Sequence, residues 1–460
     1  KAAKYAPHDR LRKLKHKKIK AWTGFRFPER RKRYSAFKWD HRHFTAVDWN
    51  QETQTSGVYK LMGRRWSEKV DGEYGNYDYL MGADVNFANP EVREELLRWG
   101  KWYFETAKLD GVRLDAVKHI SYAFFIWWLR SMRRDLRREF FAVGEYWHSD
   151  VHVLRGYLEN SLRTMSLFDV SLHFRFLRAA QEGADFDLRT IFDDTLVSCE
   201  PDFAVTFVDN HDVERIASKL KDHRDFLGVH ILLYTLQGVP SIYYGSEFGI
   251  EGRKAPGSDA PLRPALNLEQ FRDNNQVKLI AALGRIRQSN KVLSYGDYTQ
   301  LHLTNTQYAF SRSCGQWDVL VAVNNERTPA NLHLRAKCGS YIGGLSGTKV
   351  TAQNGHIHFV LGGHSGEIWI PEGMNDADLK PILDQLRFTS TAKQSAPDHA
   401  HPAPVAAPPG KPYEHMTVPE LQQAIIDKMA KNGPVTDRMR QDVVENIWRD
   451  SLLTWVRSFQ

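Results

Sequence analysis

The sequence predicts an α/β chain built on a parallel sheet, followed by a smaller antiparallel β-domain and a helical tail. Three observations carry that expectation. Strand-like and helix-like stretches alternate between about residues 89 and 290, period-two alternation takes over from Tyr295 to Glu372, and a Pro-rich stretch then precedes two helical stripes. The composition permits this: 460 residues, 42% hydrophobic and 12% aromatic, can bury several cores and exclude general disorder. The longest strongly apolar run, Ala123 to Leu129, falls far below the ~18 residues of a membrane span, so no membrane partner is expected.

Residues 1–20 form a basic segment. The first 33 residues carry 14 Lys and Arg against 2 acidic side chains, so the net charge of +8 is local and the remainder of the chain is acidic. No recognition motif or interleaved aromatic platform accompanies the basic run, and a nucleic-acid partner is not expected. Residues 21–88 are rich in Trp, Tyr, Gly, Asp and His, with short strand-like runs such as Ser56 to Met62, and read as an irregular insertion. A helix follows, with Asn89 as N-cap, Pro90 at its first position, a stripe of Val92, Leu96, Trp99 and Tyr103, and Asp110-Gly111 as its stop.

Five strands are legible in 89–290, at Val112–Val117, Phe140–Tyr146, Met165–Phe168, Phe203–Asp209 and Val239–Tyr244, with helices such as Ala123–Glu139 and Phe226–Leu236 between them. Such units make either a barrel or a doubly wound sheet. Residues 291–372 read as an antiparallel β-domain and 373–412 as a Pro-rich linker. Residues 413–460 read as a helical hairpin, with a Thr417/Glu420 capping box, Leu421, Ile425 and Met429 on one face, and a second stripe from Met439 to Trp455 that suits docking or self-association. Cys199, Cys314 and Cys338 are widely spaced and odd in number, which points away from a disulfide framework and toward a reducing, cytoplasmic setting.

Three strands finish at carboxylates, Asp115, Glu145 and Asp212. In a parallel barrel the C-terminal strand ends share one rim, so acids distant in sequence meet there. Any one of them alone reads more readily as a helix cap or a surface position. Two carboxyl groups ~5 to 5.5 Å apart across a glycosidic bond serve as nucleophile and proton donor in a retaining hydrolase. Arg113, two residues before Asp115 on the same strand, projects to the same side and favours its charged form, which suits Asp115 to the nucleophile's part. His211 beside Asp212 reads either as a site residue or as a satisfied core histidine.

The runs Gly111-Val-Arg-Leu-Asp-Ala-Val-Lys-His-Ile120, Val143-Gly-Glu-Tyr-Trp147 and Phe207-Val-Asp-Asn-His-Asp212 resemble three ordered signature regions of the α-amylase-type glycoside hydrolases. The resemblance spans roughly residues 21–372. Its first half, with Phe37-Lys-Trp-Asp-His-Arg-His-Phe and Gly75-Asn-Tyr-Asp-Tyr-Leu-Met, is most similar to bacterial liquefying and cytoplasmic α-amylases. Its second half, with Gly238-Val-Pro-Ser-Ile-Tyr-Tyr-Gly-Ser-Glu and Gly257-Ser-Asp-Ala-Pro-Leu-Arg-Pro, is more similar to neopullulanase and maltodextrin-type enzymes. The resemblance implies an incomplete (β/α)8 TIM barrel with an inserted domain B, a C-terminal β-sandwich and a helical tail. It implies Asp115 as nucleophile, Glu145 as acid/base and Asp212 as a sugar-hydroxyl binder. Arg113, His211, Lys118 and His119 would line the subsites, and Tyr146 and Trp147 would either stack on sugar or pack the rim. It also implies Ca2+ on Asp78, Asp84 and the carbonyl of His119, whereas Thr45, Ser67 and Asn86 replace the acids of a second metal cluster. Nothing in residues 1–20 matches the family's first signature, so barrel strands one to three are expected to be lacking. The implied partner is an α-glucan and the implied activity α-1,4-glucan endo-hydrolysis. The alternatives are a maltodextrin hydrolase or glucanotransferase, and an inactive glucan-binding fragment.

Overall fold

The computed structural model describes residues 2–5, 17–27, 35–71, 82–271, 274–374 and 418–432. Four strands, β1 (Ala2–Tyr5), β2 (Phe44–Asn50), β3 (Thr55–Leu61) and β4 (Ala83–Val85), form an antiparallel sheet in the order β1-β3-β2-β4. Its small core joins Phe44, Val47, Tyr59 and Leu61 to Phe25 and Trp39. The region read as irregular is thus sheet-built. Irregularities in the pairing between Phe44 and Ala46 and between Val47 and Trp49 break the period-two pattern that would have announced β2.

Helix α1 (Pro90–Ala107) begins as its caps dictate: Asn89 Oδ1 accepts from Glu91 N at 2.9 Å, and Lys108 closes the helix in the left-handed region. The buried face differs from the expected stripe. Val92, Gly100 and Phe104 are buried, while Trp99 and Tyr103 are exposed and stack on each other with centroids 5.6 Å apart. The cause is a close approach at Gly100, where a Cβ would stand 2.7 Å from the Trp128 ring and 2.9 Å from Met132 Sδ. Gly100→Ala is therefore expected to destabilise the fold by about 1–3 kcal/mol, read as a lowered denaturation midpoint at unchanged m. An unchanged midpoint would show that the two side chains yield freely.

From α1 the chain alternates. Strand β5 (Gly111–Leu114) leads to α2 (Tyr122–Leu136), β6 (Phe141–Gly144) to α3 (Val151–Asn160), and β7 (Ser166–Phe168) to α4 (Val170–Glu182) and α5 (Leu196–Cys199). Strand β8 (Ala204–Phe207) leads to α6 (Phe226–Thr235), and β9 (Val239–Ser241) to α7 (Asn275–Ser289) and α8 (Lys291–Tyr295). The five strands pair in parallel in the order β5-β6-β7-β8-β9, a partial barrel with β5 and β9 at its edges among the described residues.

Eight strands follow: β10 (Asp297–Leu303), β11 (Gln307–Cys314), β12 (Trp317–Asn324), β13 (Ala330–Arg335), β14 (Ser340–Gly343), β15 (Lys349–Thr351), β16 (His356–Leu361) and β17 (Ser365–Pro371). They make a six-stranded sheet, β10-β11-β12-β17-β14-β15, and a β13-β16 ribbon. One core containing Leu320, Leu332, Tyr341, Ile357 and Trp369 lies between the two, which is the expected β-sandwich. Residues 377–460 form a separate unit, whose described helix α9 (Val418–Asn432) buries Leu421, Ile425 and Ile426. The second helix expected there, and Thr417 of the expected capping box, lie outside the described residues. No described helix is long and apolar enough to cross a membrane. All three cysteines are free.

Candidate active site

Strand β5 ends at Leu114 and delivers Asp115, and β6 ends at Gly144 and delivers Glu145. The ladder between them continues past both strands: Glu145 N donates to Leu114 O at 2.8 Å, and Val117 N donates to Glu145 O at 3.0 Å. Adjacent tips are thereby locked side by side. Ala116 turns the chain with φ 47° and ψ 41°, and this left-handed turn aims its N–H at Glu145 Oε2, 3.0 Å away. The expected strand to Val117 stops early for that reason.

The two carboxylates occupy different surroundings. Asp115 is 73% exposed at its side chain and accepts from Arg113 Nη1 at 2.7 Å, with the guanidinium also 5.9 Å from the Phe168 ring. Glu145 is half-buried. Burial is the main cause that raises its pKa above the ordinary carboxyl value; the Ala116 N–H and the Arg113 cation oppose the rise, and the charges of Asp115 and Asp212 add to it. Asp115 and Glu145 thus leave neighbouring strand tips, and the charge of Asp212 also reaches Glu145.

Asp212 arrives from β8 through a loop pinned by Asp209. The buried Asp209 carboxylate accepts from Ile216 N at 2.9 Å and from Ser246 Oγ at 2.6 Å, and burial raises its pKa. Asp212 itself takes Arg263 Nη2 at 2.6 Å and lies 3.1 Å from His211 Nε2, while Arg263 Nε donates to His211 O at 3.0 Å. Arg263 and Asp209 were not singled out from the sequence. Both sit inside runs already noted, and the available signals were an acid directly behind an apolar strand and an Arg in a Gly- and Pro-rich loop.

Lys118 Nζ donates to Trp147 O at 3.2 Å, and His119 closes the turn Val117–His119 that follows the Asp115 tip. Asp71 N bonds to Lys118 O at 2.8 Å and the Tyr146 hydroxyl bonds to the Asp71 carboxylate, which ties Asp71 to the rim. Tyr146 is buried with its ring 4.8 Å from that of Tyr157, a packing position. Trp147 is half-buried between His173, Phe174 and Phe207. A separate cleft of about 750 Å3, lined by Arg64, Trp66, Phe87 and Phe124 among others, contains none of the three acids.

Of the implied calcium donors, Asp84 is on β4 and the His119 carbonyl is in the turn Val117–His119, whereas Asp78 lies outside the described residues. Both described donors are oxygens of the kind Ca2+ takes. Among the described residues no group of three or more His, Cys, Asp and Glu side chains stands ready-made as a metal sphere.

Comparison with known proteins agrees with this arrangement. Residues 26–319 match the family model described as alpha amylase, catalytic domain. The chain is 42% identical over 271 residues to an alpha-amylase of Geobacillus stearothermophilus, covering 58% of this chain and 49% of the relative. It is 30% identical over 370 residues to the cytoplasmic alpha-amylase of Escherichia coli, covering 76% of this chain and 72% of that one. Among solved structures, an Anoxybacillus alpha-amylase aligns with a TM-score of 0.58 at 23% identity, over 67% of this chain and 71% of that one, a likeness of fold. The chain spans about half the length of several curated relatives it matches. With the family model matched across the partial barrel and the acid-bearing tips, the chain belongs to the alpha-amylase catalytic-domain family.

Proposed function

We propose that the chain hydrolyses α-1,4-glucans with retention of anomeric configuration. The observation that carries this is the pairing of unlike carboxyl groups on neighbouring tips: Asp115 exposed beside Arg113, and Glu145 half-buried with its pKa raised. Environments that push two acids apart in this way divide nucleophile from proton donor. Asp115 attacks the anomeric carbon while Glu145 gives its proton to the departing glycosidic oxygen. Glu145 then takes a proton from water as that water releases the sugar from Asp115. Asp212, held by Arg263 and flanked by His211, binds sugar hydroxyls, and Lys118 and His119 reach the sugar on the leaving-group side. Calcium on Asp78, Asp84 and the His119 carbonyl belongs to this reading as a structural ion, and no step uses it.

The test is the anomer first released from maltoheptaose, followed by NMR before mutarotation. The α-anomer is expected, and a β-anomer would refute retention. The pH profile gives a second check. As general acid, Glu145 must carry its proton, so kcat/KM falls as pH rises through its raised pKa. The Arg113 cation holds that pKa down, so Arg113→Gln is expected to move the alkaline limb to higher pH. A limb that stays put or moves lower would remove Glu145 from the acid's role.

Relatives named cyclomaltodextrin glucanotransferase, 28% identical over 372 residues, keep a transferase reading in view. Product analysis on maltoheptaose and pullulan separates it from hydrolysis. A third reading, a glucan binder without turnover, is the one that amylose binding at zero hydrolysis would favour. We assign the domains as 1–20, 21–88, 89–290, 291–372, 373–412 and 413–460, with 413–460 as a self-association element. The free cysteines and the cytoplasmic relative support a cytoplasmic setting.

A further inference from the structure

We propose that His333, His356 and His358 form a binding site for a borderline divalent transition-metal ion, such as Zn2+ or Ni2+, on the outer face of the β13-β16 ribbon. The ribbon's register pairs His333 with His358 and Arg335 with His356. Leu332, Leu334 and Ile357 point into the sandwich core, so the residues between them point out. His356 and His358, two apart on one strand, therefore share a face with His333 opposite. The ring centroids confirm the grouping: 3.9 Å between His333 and His358, and 4.5 Å between His333 and His356.

The protonation chemistry suits a ligand set. His356 Nδ1 lies 3.0 Å from Asn354 O, and a carbonyl only accepts, so Nδ1 carries the hydrogen and Nε2 keeps its lone pair. An Nδ1–H bond to a backbone carbonyl is the usual orienting contact of a metal-binding imidazole. Three imidazoles facing one another repel when charged, and a shared cation converts that repulsion into ligation.

The same face excludes hard cations. Its other outward residues are Asn331, Arg335 and Val360, with no carboxylate among them. Imidazole nitrogens without charged oxygens select Zn2+, Ni2+ or Cu2+ over Ca2+ or Mg2+. The rings now rest against each other rather than in a finished sphere. His333 and His358 are exposed, so rotation about their side-chain torsions brings the nitrogens together at low cost, with water completing the coordination.

Calorimetric titration of the full chain with ZnCl2 tests the site. The histidines at 399 and 401 also have His-x-His spacing, so the titration is run in a His399→Ala/His401→Ala background. One equivalent is expected to bind, and Mg2+ none. His333→Asn and His358→Asn should each weaken binding at least about tenfold, the loss that even an outer partner of a metal site produces. Both positions are exposed, and circular dichroism checks that each variant is folded. A Co2+ absorption band of nitrogen-ligated metal should disappear in the double variant. A flat Zn2+ titration up to ~1 mM, or unaltered binding in the double variant, would overturn the proposal. Neither outcome bears on the glucan-hydrolase reading, whose residues lie on the rim.

Discussion

Asp115→Asn abolishes hydrolysis of soluble starch, with kcat lowered on the order of 10^4-fold or more, because an amide cannot form the glycosyl ester. Glu145→Gln gives a loss of ~10^2- to 10^4-fold on the same substrate, the range for a positioned proton donor. The two variants part company on a substrate with an acidic leaving group, such as a nitrophenyl maltoside. Departure of a nitrophenolate needs no proton, so Glu145→Gln recovers the first chemical step and shows a burst of phenol. Asp115→Asn shows none. The site keeps both variants in position: Ala116 N–H and the β5-β6 ladder hold Glu145 in place whether or not it is ionisable, while Asp115 stands exposed in its ion pair with Arg113. Equal rescue of both variants, or full starch activity in either, would reverse or remove the assigned roles.

How much of this was legible in the sequence depended on whether local physics or tertiary contact decided each feature. The five parallel strands announced themselves because each is a short apolar run bounded by turns, and their starts fall within a few residues of expectation. The end of β7 at Phe168 was legible too, whereas that of β5 was not, since a left-handed Ala116 is invisible in a pattern of side chains. The N-terminus of α1 was legible from Asn89-Pro90 alone. Its buried face was not, because Gly100 matters only through Trp128 and Met132 from α2. Strands β14 and β15 escaped notice because they span four and three residues among glycines and polar turns. At the site, the acid at each strand tip could be read from position. The grip of Arg263 on Asp212, from 51 residues away, depends on a loop path that no local pattern records.

Arg312→Met is expected to destabilise the folded chain by about 3–5 kcal/mol, the cost of leaving buried acceptors unpaired and removing the charge they hold. Arg312 is 1% exposed on β11, and the hydrogen bonds of its guanidinium go to carbonyls: Gly296 O from Nε at 3.1 Å and Nη2 at 2.8 Å, and Thr235 O at 2.9 Å and Leu293 O at 2.8 Å from Nη1. Burial, with Arg287 nearby, pushes its pKa down to about 9, so it stays charged at neutral pH. The charge is tolerated because Thr235 and Leu293 lie in the last turns of α6 and α8, where the helix dipoles are negative. Arg287 completes the brace, donating to Tyr234 O at 2.7 Å, Leu236 O at 3.1 Å and Gly238 O at 2.7 Å across the turn into β9. The β-sandwich thus reaches through Arg312 to the helix preceding β9, the neighbour of the strand that carries Asp212. A drop in Tm on the order of 5 °C or more should accompany the substitution. Arg287→Met combined with Arg312→Met should cost less than the two single losses added, since both arginines serve the same helix end. A single-variant loss within ~1 kcal/mol, the value of one ordinary hydrogen bond, would show that water replaces the guanidinium and that the sandwich does not brace the partial barrel through this residue.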